Sequence, residues 1–271
     1  MPARYKLPIP KPETILNRYE GEIKLPFAVC SDNHSSDRNS AWPELYDFYD
    51  RGHDSGVRQY FNCGDIVAGH RVYRGQENDL EDIGFQAQKD RMVRDYPSPP
   101  KHEADTKFIL GNHGLSFYTY AGADIGEAID KERSDLKYLG PWNAHIKDGD
   151  ISLMMTHQRK ASGVSQSYQP QKYIDRMLQE LKPTLMMNGH RHQAMFFKYG
   201  GVNILEAGHF QYPTSYATGA GFMSNPCGWI IDMEIKKTKK KGIKREVLGI
   251  NAEKIEYKGW LDRKYKPKKL I

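Results

Sequence analysis

Short apolar runs that end in metal-binding residue types constrain the fold of this chain more than any other feature. Five such runs, LPFAVC, RQYFNC, KFIL, ISLMMT and PTLMMN, are four to six residues long, a length typical of buried strands rather than helices. Helical patterns lie between them, over residues 41–52, 79–94 and 169–183, and an antiparallel meander is expected over residues 194–250. Strands that alternate with helices predict an α/β domain.

A histidine, aspartate or asparagine follows each apolar run. In an open α/β sheet the loops at the carboxyl ends of the strands converge on one crevice, so these side chains are expected to meet. Each motif alone is more often a turn, a helix cap or a loop, but all five in one order indicate a shared site. The residues are Asp32 and His34, then Asp65, then Asn112 and His113, then His157, and finally His190 and His192.

The ligand types favour two metal ions over one. Four histidines, two aspartates and an asparagine are too many ligands for a single tetrahedral zinc. Two divalent ions roughly 3.5–4 Å apart need a bridging carboxylate, and Asp65 is the natural bridge because a carboxylate has two oxygens. Such a pair activates a bridging hydroxide for in-line attack on a phosphoryl group. The mixed ligands suit manganese, which we favour, or iron, zinc or nickel, better than magnesium or calcium.

The order D-x-H, GD, GNH, H, GH-x-H resembles the calcineurin-like metallophosphoesterase superfamily over residues 25–210. The resemblance implies a four-layer α-β-β-α sandwich of two mixed β-sheets flanked by helices. It also implies that His113 orients the phosphate and protonates the leaving oxygen. The implied ligands are Asp32, His34, Asp65 and His192 for one metal, and Asp65, Asn112, His157 and His190 for the other.

Two positions depart from the family pattern. Gly114 stands where members often have an acidic residue, and Ala68 stands where many members carry an aspartate or a histidine. His113 therefore lacks its usual orienting partner in the sequence. His70 is a candidate replacement; otherwise it is a surface residue of a loop.

The motifs specify phosphoester hydrolysis but not the ester. Arg159, Arg191 and His209 are candidate substrate contacts, with ordinary loop residues as the alternative reading. We predict a phosphodiesterase that acts on nucleic acid or a nucleotide. The alternatives are a phosphomonoesterase or protein phosphatase of the same family, and a metal-retaining binding or scaffold protein with little turnover, which Gly114 and Ala68 motivate.

The net charge of +6 is a property of the C-terminal end of the chain. Residues 231–271 contain 14 Lys and Arg against 6 Asp and Glu, whereas the other residues have a net charge of −2. Lysines neutralise nucleic-acid phosphates without reading sequence. DNA or RNA is therefore an expected partner through residues 236–269, although most lysine-rich turns are simply solvated.

The domain prediction is one metallophosphoesterase domain over residues 25–250, with residues 66–105 as an insertion or rim. An extended arm is expected over residues 1–24 and a basic tail over residues 251–271. The sequence has no run of about 18 apolar residues, so no membrane span is expected. The N-terminus lacks the apolar core of a secretory signal. Three cysteines fit no disulfide framework and favour a reducing, cytoplasmic setting.

Overall fold

Two mixed six-stranded sheets form the centre of the molecule. The computed structural model describes residues 17–98, 103–158, 165–219, 221, 223–238 and 244–258. Within these residues the strands are β1 Arg18–Glu20, β2 Phe27–Cys30, β3 Gln59–Asn62, β4 Asp105–Phe108, β5 Leu136–Tyr138, β6 Asn143–Asp148, β7 Ile151–Thr156, β8 Leu185–Asn188, β9 Ala194–Tyr199, β10 Val202–Ala207, β11 Cys227–Thr238 and β12 Lys244–Glu256.

Parallel strands form the middle of each sheet. The first sheet has the order β1-β6-β7-β8-β10-β9, and β7, β8 and β10 run parallel. The second has the order β12-β11-β2-β3-β4-β5, and β2 to β5 run parallel. Since parallel strands end at the same edge, each sheet presents a row of carboxyl ends where loops can meet.

Helices cover the outer faces of both sheets. In α1 a proline stands in the first turn, where its missing N–H costs nothing, and Leu45, Phe48 and Tyr49 form the buried face. None of the described helices is long and apolar enough to cross a membrane. The helices are α1 Trp42–Asp54, α2 Phe85–Asp95, α3 Gly111–Ala121, α4 Ile125–Glu132, α5 Tyr168–Asp175 and α6 Ser215–Gly219.

One hydrophobic core lies between the two sheets. Because side chains alternate across a strand, Phe27 and Val29 of β2 pack in one cluster with Leu153 and Leu185 of the other sheet. The opposite face of the second sheet packs against α1, α2 and α4, and that of the first sheet against α5. These layers confirm the predicted α-β-β-α sandwich.

Some segments have a structure that the sequence pattern did not predict. Residues 18–20, expected in an extended arm, pair with β6 as β1. Residues 251–256, expected in a tail, continue β12. The helix expected over residues 169–183 ends at Asp175, and a separate 3-10 turn follows at Gln179–Leu181.

Candidate metal centre

The seven predicted metal ligands meet at the carboxyl edge of the two sheets. Six of them follow the ends of β2, β3, β7 and β8 within four residues, and Asn112 lies in the first turn of α3. The site is buried: Asp32, Asp65 and His157 are at most 2% exposed. The topology of two parallel sheet edges therefore gathers residues that lie up to 160 positions apart in the chain, from Asp32 to His192.

Asp32, His34 and His192 form the first group, whose ligand atoms lie within 4.8 Å of one another. Asp32 Oδ1 is 3.4 Å from His192 Nε2 and 3.8 Å from His34 Nε2, and the two Nε2 atoms are 3.1 Å apart. Asp32 Oδ2 accepts the backbone N–H of His190 at 2.9 Å, whereas Oδ1 is buried without a hydrogen-bond partner. A buried, unpartnered carboxylate oxygen that faces two imidazole nitrogens fits a divalent cation.

Asp65, His157 and His190 form the second group within the same limit of 4.8 Å. His157 Nε2 is 3.0 Å from Asp65 Oδ2 and 3.2 Å from Asn112 Oδ1. His157 Nδ1 lies 2.8 Å from the carbonyl oxygen of Cys63, to which it donates. That hydrogen bond leaves Nε2 for the site, which is the usual arrangement behind a metal-binding histidine.

Asp65 lies between the two groups. It belongs to the second group and also to a cluster with His34 and His113, so it reaches ligands of both predicted metals. Its Oδ1 accepts the backbone N–H of His113 at 2.9 Å, which fixes the orientation of the carboxylate. This position is the one that a bridging carboxylate requires.

The electrostatics of the site hold both carboxylates in the charged form. Burial alone would raise the pKa of Asp32, but the charges of His192 and His157 outweigh it and lower the pKa. Burial acts in the same direction on Asp65, and His157 and His113 likewise lower its pKa. Burial lowers the pKa of His157, but Asp65 outweighs it and raises the pKa to about 9. Charged carboxylates are the state that binds a cation.

Strained backbone marks the ligand positions. In the described part of the chain, seven non-glycine residues have a positive φ. Left-handed backbone is costly for an L-residue and persists where the surroundings enforce it, often at functional sites. Five of the seven are Asp32, His34, Asp65, His190 and His192, with φ values of 50°, 46°, 49°, 81° and 50°.

Two glycines explain why the motifs read GD and GNH. A Cβ at Gly64 would collide with the ring of His157, and a Cβ at Gly111 would collide with the carboxylate of Asp65. Both glycines also have positive φ, at 106° and 75°. Only glycine combines that backbone with so close an approach of ligand side chains.

His113 finds its orienting partner in the backbone. Its Nδ1 is 2.6 Å from the carbonyl oxygen of Ala68 and donates to it, so Nε2 points to the site, 3.9 Å from Asp65 Oδ2. His70 does not take this place: its ring packs edge-on to Tyr120, and its Nδ1 is buried without a partner. Because the acceptor is a backbone carbonyl, no residue type in the sequence motif could reveal this hydrogen bond.

A cavity of about 220 Å³ opens onto the ligands. Arg191 lines it, is only 9% exposed, and its Nη1 has no hydrogen-bond partner. A buried guanidinium nitrogen without a hydrogen-bond partner is costly, so Nη1 is suited to an anionic ligand. The remaining lining residues are His34, Asp65, Tyr73, His113, His190, His192, Gln193, Gln211, Thr214 and Ala217.

His209 does not line this cavity, contrary to the sequence expectation. It is 2% exposed, and its ring stacks on that of His192 with centroids 5.0 Å apart. Its Nδ1 is 2.8 Å from the carbonyl oxygen of Gln211, and its Nε2 is 2.8 Å from Ser224 Oγ. His209 therefore supports a ligand from behind. Arg159 lies outside the described residues.

Sequence reasoning missed several residues of the cavity wall. Tyr73 comes from the segment predicted as an insertion or rim, and Gln193, Gln211 and Thr214 come from loops after β8 and β10. These residues are neutral, stand apart in the chain and belong to no motif. Their only sequence signal is that Gln193 directly follows the GHRH run.

Comparisons with known proteins give likenesses of structure alone. No protein-family model matches the chain, and no curated protein sequence matches it. An archaeal phosphodiesterase is 15% identical, with a TM-score of 0.44 over 83% of this chain and 100% of the other. A Streptococcus pneumoniae protein described as a predicted phosphoesterase is 14% identical, with a TM-score of 0.43 over 88% and 100%. Entamoeba histolytica Vps29 in complex with Zn²⁺ is 14% identical, with a TM-score of 0.42 over 86% and 99%.

All three TM-scores are below 0.5 and all identities are below 20%. Likenesses at this level carry no functional assignment for this chain.

Proposed function

We propose that this chain is a dinuclear metal-dependent phosphoesterase that hydrolyses a phosphodiester, with a nucleotide or nucleic acid as the favoured substrate. The observation that carries the proposal is Asp65, which clusters with His34 of the first ligand group as well as with His157 and His190 of the second. A carboxylate within reach of both groups is the arrangement of a two-metal hydrolase rather than of a structural zinc site.

Asp32, His34, Asp65 and His192 would hold one ion, and Asp65, Asn112, His157 and His190 the other. Their mixed imidazole, carboxylate and amide donors suit manganese, iron, zinc or nickel, and we favour manganese. When bound, two such ions supply charge stabilisation for the phosphoryl group and activation of the attacking water. The other contributions come from side chains of the cavity.

His113 is suited to protonate the leaving oxygen. Because its Nδ1 donates to the Ala68 carbonyl at 2.6 Å, the ring presents Nε2 to the cavity. General acid catalysis of this kind contributes a factor of about 10² to 10⁴ in rate. The backbone carbonyl of Ala68 supplies the orientation that no side chain at Gly114 or Ala68 can supply, which supports turnover over metal binding alone.

Arg191 is suited to hold a non-bridging oxygen of the phosphate. Its buried, unpartnered Nη1 offers a donor that water does not reach freely. Among the described residues that line the cavity, it is the one permanent cation. A monoester carries nearly two negative charges at neutral pH, whereas a diester carries one. One fixed cation beside the metals therefore favours the diester.

The test is hydrolysis of bis-p-nitrophenyl phosphate and p-nitrophenyl phosphate by the manganese-loaded protein. We expect a diester preference, about two metals per chain by elemental analysis, and loss of both in Asp65→Asn. Asp90→Asn makes the same chemical change on the exposed face of α2 and should leave activity and metal content unchanged.

The remaining outcomes separate the alternatives. A monoester preference would move the assignment to a phosphatase. Two bound metals without turnover of either ester would support a binding or scaffold protein. Full activity in Asp65→Asn would refute the dinuclear proposal.

A further inference from the structure

A second cavity lies beside the first, with a volume of about 380 Å³. His190 lines both cavities, so they meet at the metal ligands. The first contains His34 and His192 of one ligand group together with Asp65 and His190 of the other, and the second contains His190 beside Asn112. A phosphate bound at the ligands in the first cavity would therefore have the second cavity beside it.

One face of α3 forms a wall of the second cavity. Asn112, Leu115, Ser116 and Thr119 are spaced i, i+3, i+4 and i+7, so they share a face of the helix. Trp142, half-buried in the loop between β5 and β6, completes the lining. Its carbonyl oxygen accepts the backbone N–H of His157 at 3.0 Å, which ties the tryptophan to a ligand loop.

The chemistry of the two cavities differs. The first contains Arg191, His113 and Asp65, whereas no Asp, Glu, Lys or Arg is among the described residues that line the second. The second offers an indole, a leucine and a threonine around an open groove. Such a lining suits an uncharged, planar group, because aromatic faces stack on aromatic rings and bases.

His113 decides which part of a substrate lies on which side. It lines the first cavity and not the second. The hydrolysis breaks the bond from phosphorus to the leaving oxygen, which takes a proton from His113. A water oxygen forms the new bond to phosphorus, and the proton that this water releases restores the proton of His113 through solvent. The leaving arm must then lie in the first cavity, which leaves the second cavity for the retained arm of a diester.

We infer that the second cavity binds the retained arm of a phosphodiester, and that this arm ends in an uncharged planar group such as a nucleobase or aryl ring. The inference rests on the proposed function and adds to it the site that distinguishes a diester from a monoester. A monoester has no retained arm, so this cavity gives it nothing to bind.

The test compares three substrates that share the leaving group p-nitrophenol: p-nitrophenyl phosphate, methyl p-nitrophenyl phosphate and bis-p-nitrophenyl phosphate. Thr119 lies on the exposed side of α3, so Thr119→Trp can fill the groove without disturbing the core. We expect kcat/KM for the bis-aryl diester to fall at least tenfold, with the methyl diester changed less than twofold. Taking the ratio of variant to wild type cancels the different intrinsic reactivities of the two diesters.

Tyr118→Trp is the matched control, because Tyr118 is 63% exposed on the same helix and does not line the cavity. It should leave all three rates unchanged. Trp142→Leu is a second test. Loss of the planar indole face should lower kcat/KM for the bis-aryl diester selectively, mainly by raising KM.

Equal effects of Thr119→Trp on both diesters, or no effect, would overturn the inference while leaving the proposed function intact. A wild-type protein that cleaves only the monoester would also overturn it. A metal-loaded wild-type protein that cleaves none of the three would refute the proposed function itself, and this inference with it.

Discussion

At the scale of single residues, His192 allows backbone strain to be separated from metal binding. Its φ is 50°, and its side chain is 25% exposed, the ring stacking on His209. Glycine adopts this backbone without a steric penalty. In His192→Gly the strain relieved, roughly 1–2 kcal/mol, offsets a ring contact of about 0.5–1.5 kcal/mol. We expect urea unfolding of the metal-free variant to give a free energy within about 1 kcal/mol of wild type.

The rise in melting temperature that manganese causes should change much more than the stability of the metal-free protein. A ligand that binds only the folded state raises the melting temperature, so losing a ligand should remove more than half of the rise that manganese causes. Arg71→Gly is the control, since Arg71 has a φ of 54° but belongs to no ligand group. It should relieve similar strain and keep the full metal response. A collapse of the metal-free His192→Gly protein would instead assign the ring to folding.

The candidate site illustrates what single residues reveal in a sequence. Asp65 and His190 stand directly after apolar runs, so their convergence followed from the strand pattern alone. The carbonyl of Ala68 and the stacking of His209 depend on how loops fold over the site, and neither leaves a mark in residue type. Chemistry that resides in side chains after strands was therefore predictable, whereas chemistry supplied by the backbone or by residues behind the ligands was not.

At the scale of elements, an ion pair between the half-buried Arg133 and the buried Asp135 connects two helices to the second sheet. Arg133, just after α4, donates from Nη2 and Nε to the two oxygens of Asp135 at 2.6 and 2.7 Å. Its Nη1 also donates to the carbonyl oxygens of Val93 and Tyr96 at the end of α2, at 3.0 and 3.2 Å. The pair thus joins the carboxyl ends of α2 and α4 to the start of β5.

Asp135→Asn should lower the free energy of unfolding by about 2 kcal/mol at pH 7, because a charge-assisted, two-point hydrogen bond is lost. Burial raises the pKa of Asp135, but Arg133 outweighs it and holds the pKa below its ordinary value of 3.8. A carboxyl with a lowered folded pKa stabilises the fold above its unfolded pKa, and this contribution disappears as the pH falls through the folded pKa. The wild-type advantage should therefore be constant above about pH 5 and shrink below it.

Urea denaturation of the wild type and of Asp135→Asn at pH 7 and at about pH 3 measures the difference in the free energy of unfolding at each pH. Glu127→Gln is the control, since its pair with Lys131 is exposed on both sides and such pairs contribute little. An Asp135→Asn penalty that persists undiminished at the lower pH would show that the hydrogen-bond geometry matters rather than the charge.

Element boundaries show where sequence patterns fail. The stripe Ile174, Met177, Leu178 and Leu181 predicted one long helix, yet Leu178 is 61% exposed and adopts an extended backbone that interrupts it. β6 was not predicted because its sequence, NAHIKD, mixes polar and apolar residues without clear alternation. Pairing with β7 and β1 stabilises β6 as a strand, whereas the strand preference of its own residues does not. The strands with continuous apolar runs, β2, β7 and β8, were predicted within two residues.

At the scale of the whole molecule, Lys236, Lys237 and Lys244 of the basic C-terminal region form a basic cluster at the end of the second sheet opposite to the candidate metal centre. β11 runs antiparallel to β2 and pairs Trp229 with Val29, close to the ligand loop, and Ile231 with Phe27. From Trp229 the strand continues to Thr238, about 30 Å further at roughly 3.3 Å per residue. Lys236, Lys237 and Lys244 therefore lie beyond the amino end of β2, on the side away from the site.

This separation assigns different tasks to the two regions. At about 30 Å, solvent-exposed charges lie several Debye lengths apart at physiological ionic strength, so the lysines cannot stabilise the phosphate that is cleaved. Part of this end is also neutralised locally, since Arg245 Nη1 donates to Asp148 at 3.1 Å and its backbone N–H to Asp150 at 2.9 Å. The cluster can therefore contribute only by binding a polyanion whose length spans the distance to the site.

The variant Lys236→Gln, Lys237→Gln, Lys244→Gln tests this division. We expect kcat/KM for bis-p-nitrophenyl phosphate to stay within twofold of wild type, because a small diester reaches only the metal edge. Binding of a long DNA or RNA should weaken, and the slope of log K against log salt should fall by about 0.9 for each phosphate that the variant no longer neutralises. Arg191→Gln removes one charge inside the cavity instead, and it should lower kcat/KM for the small diester while changing that slope by no more than about 0.9, the value for a single phosphate. If the triple lysine variant lost most of its activity on the small diester, the cluster would have to act at the site itself, and the separation along β11 could not account for it.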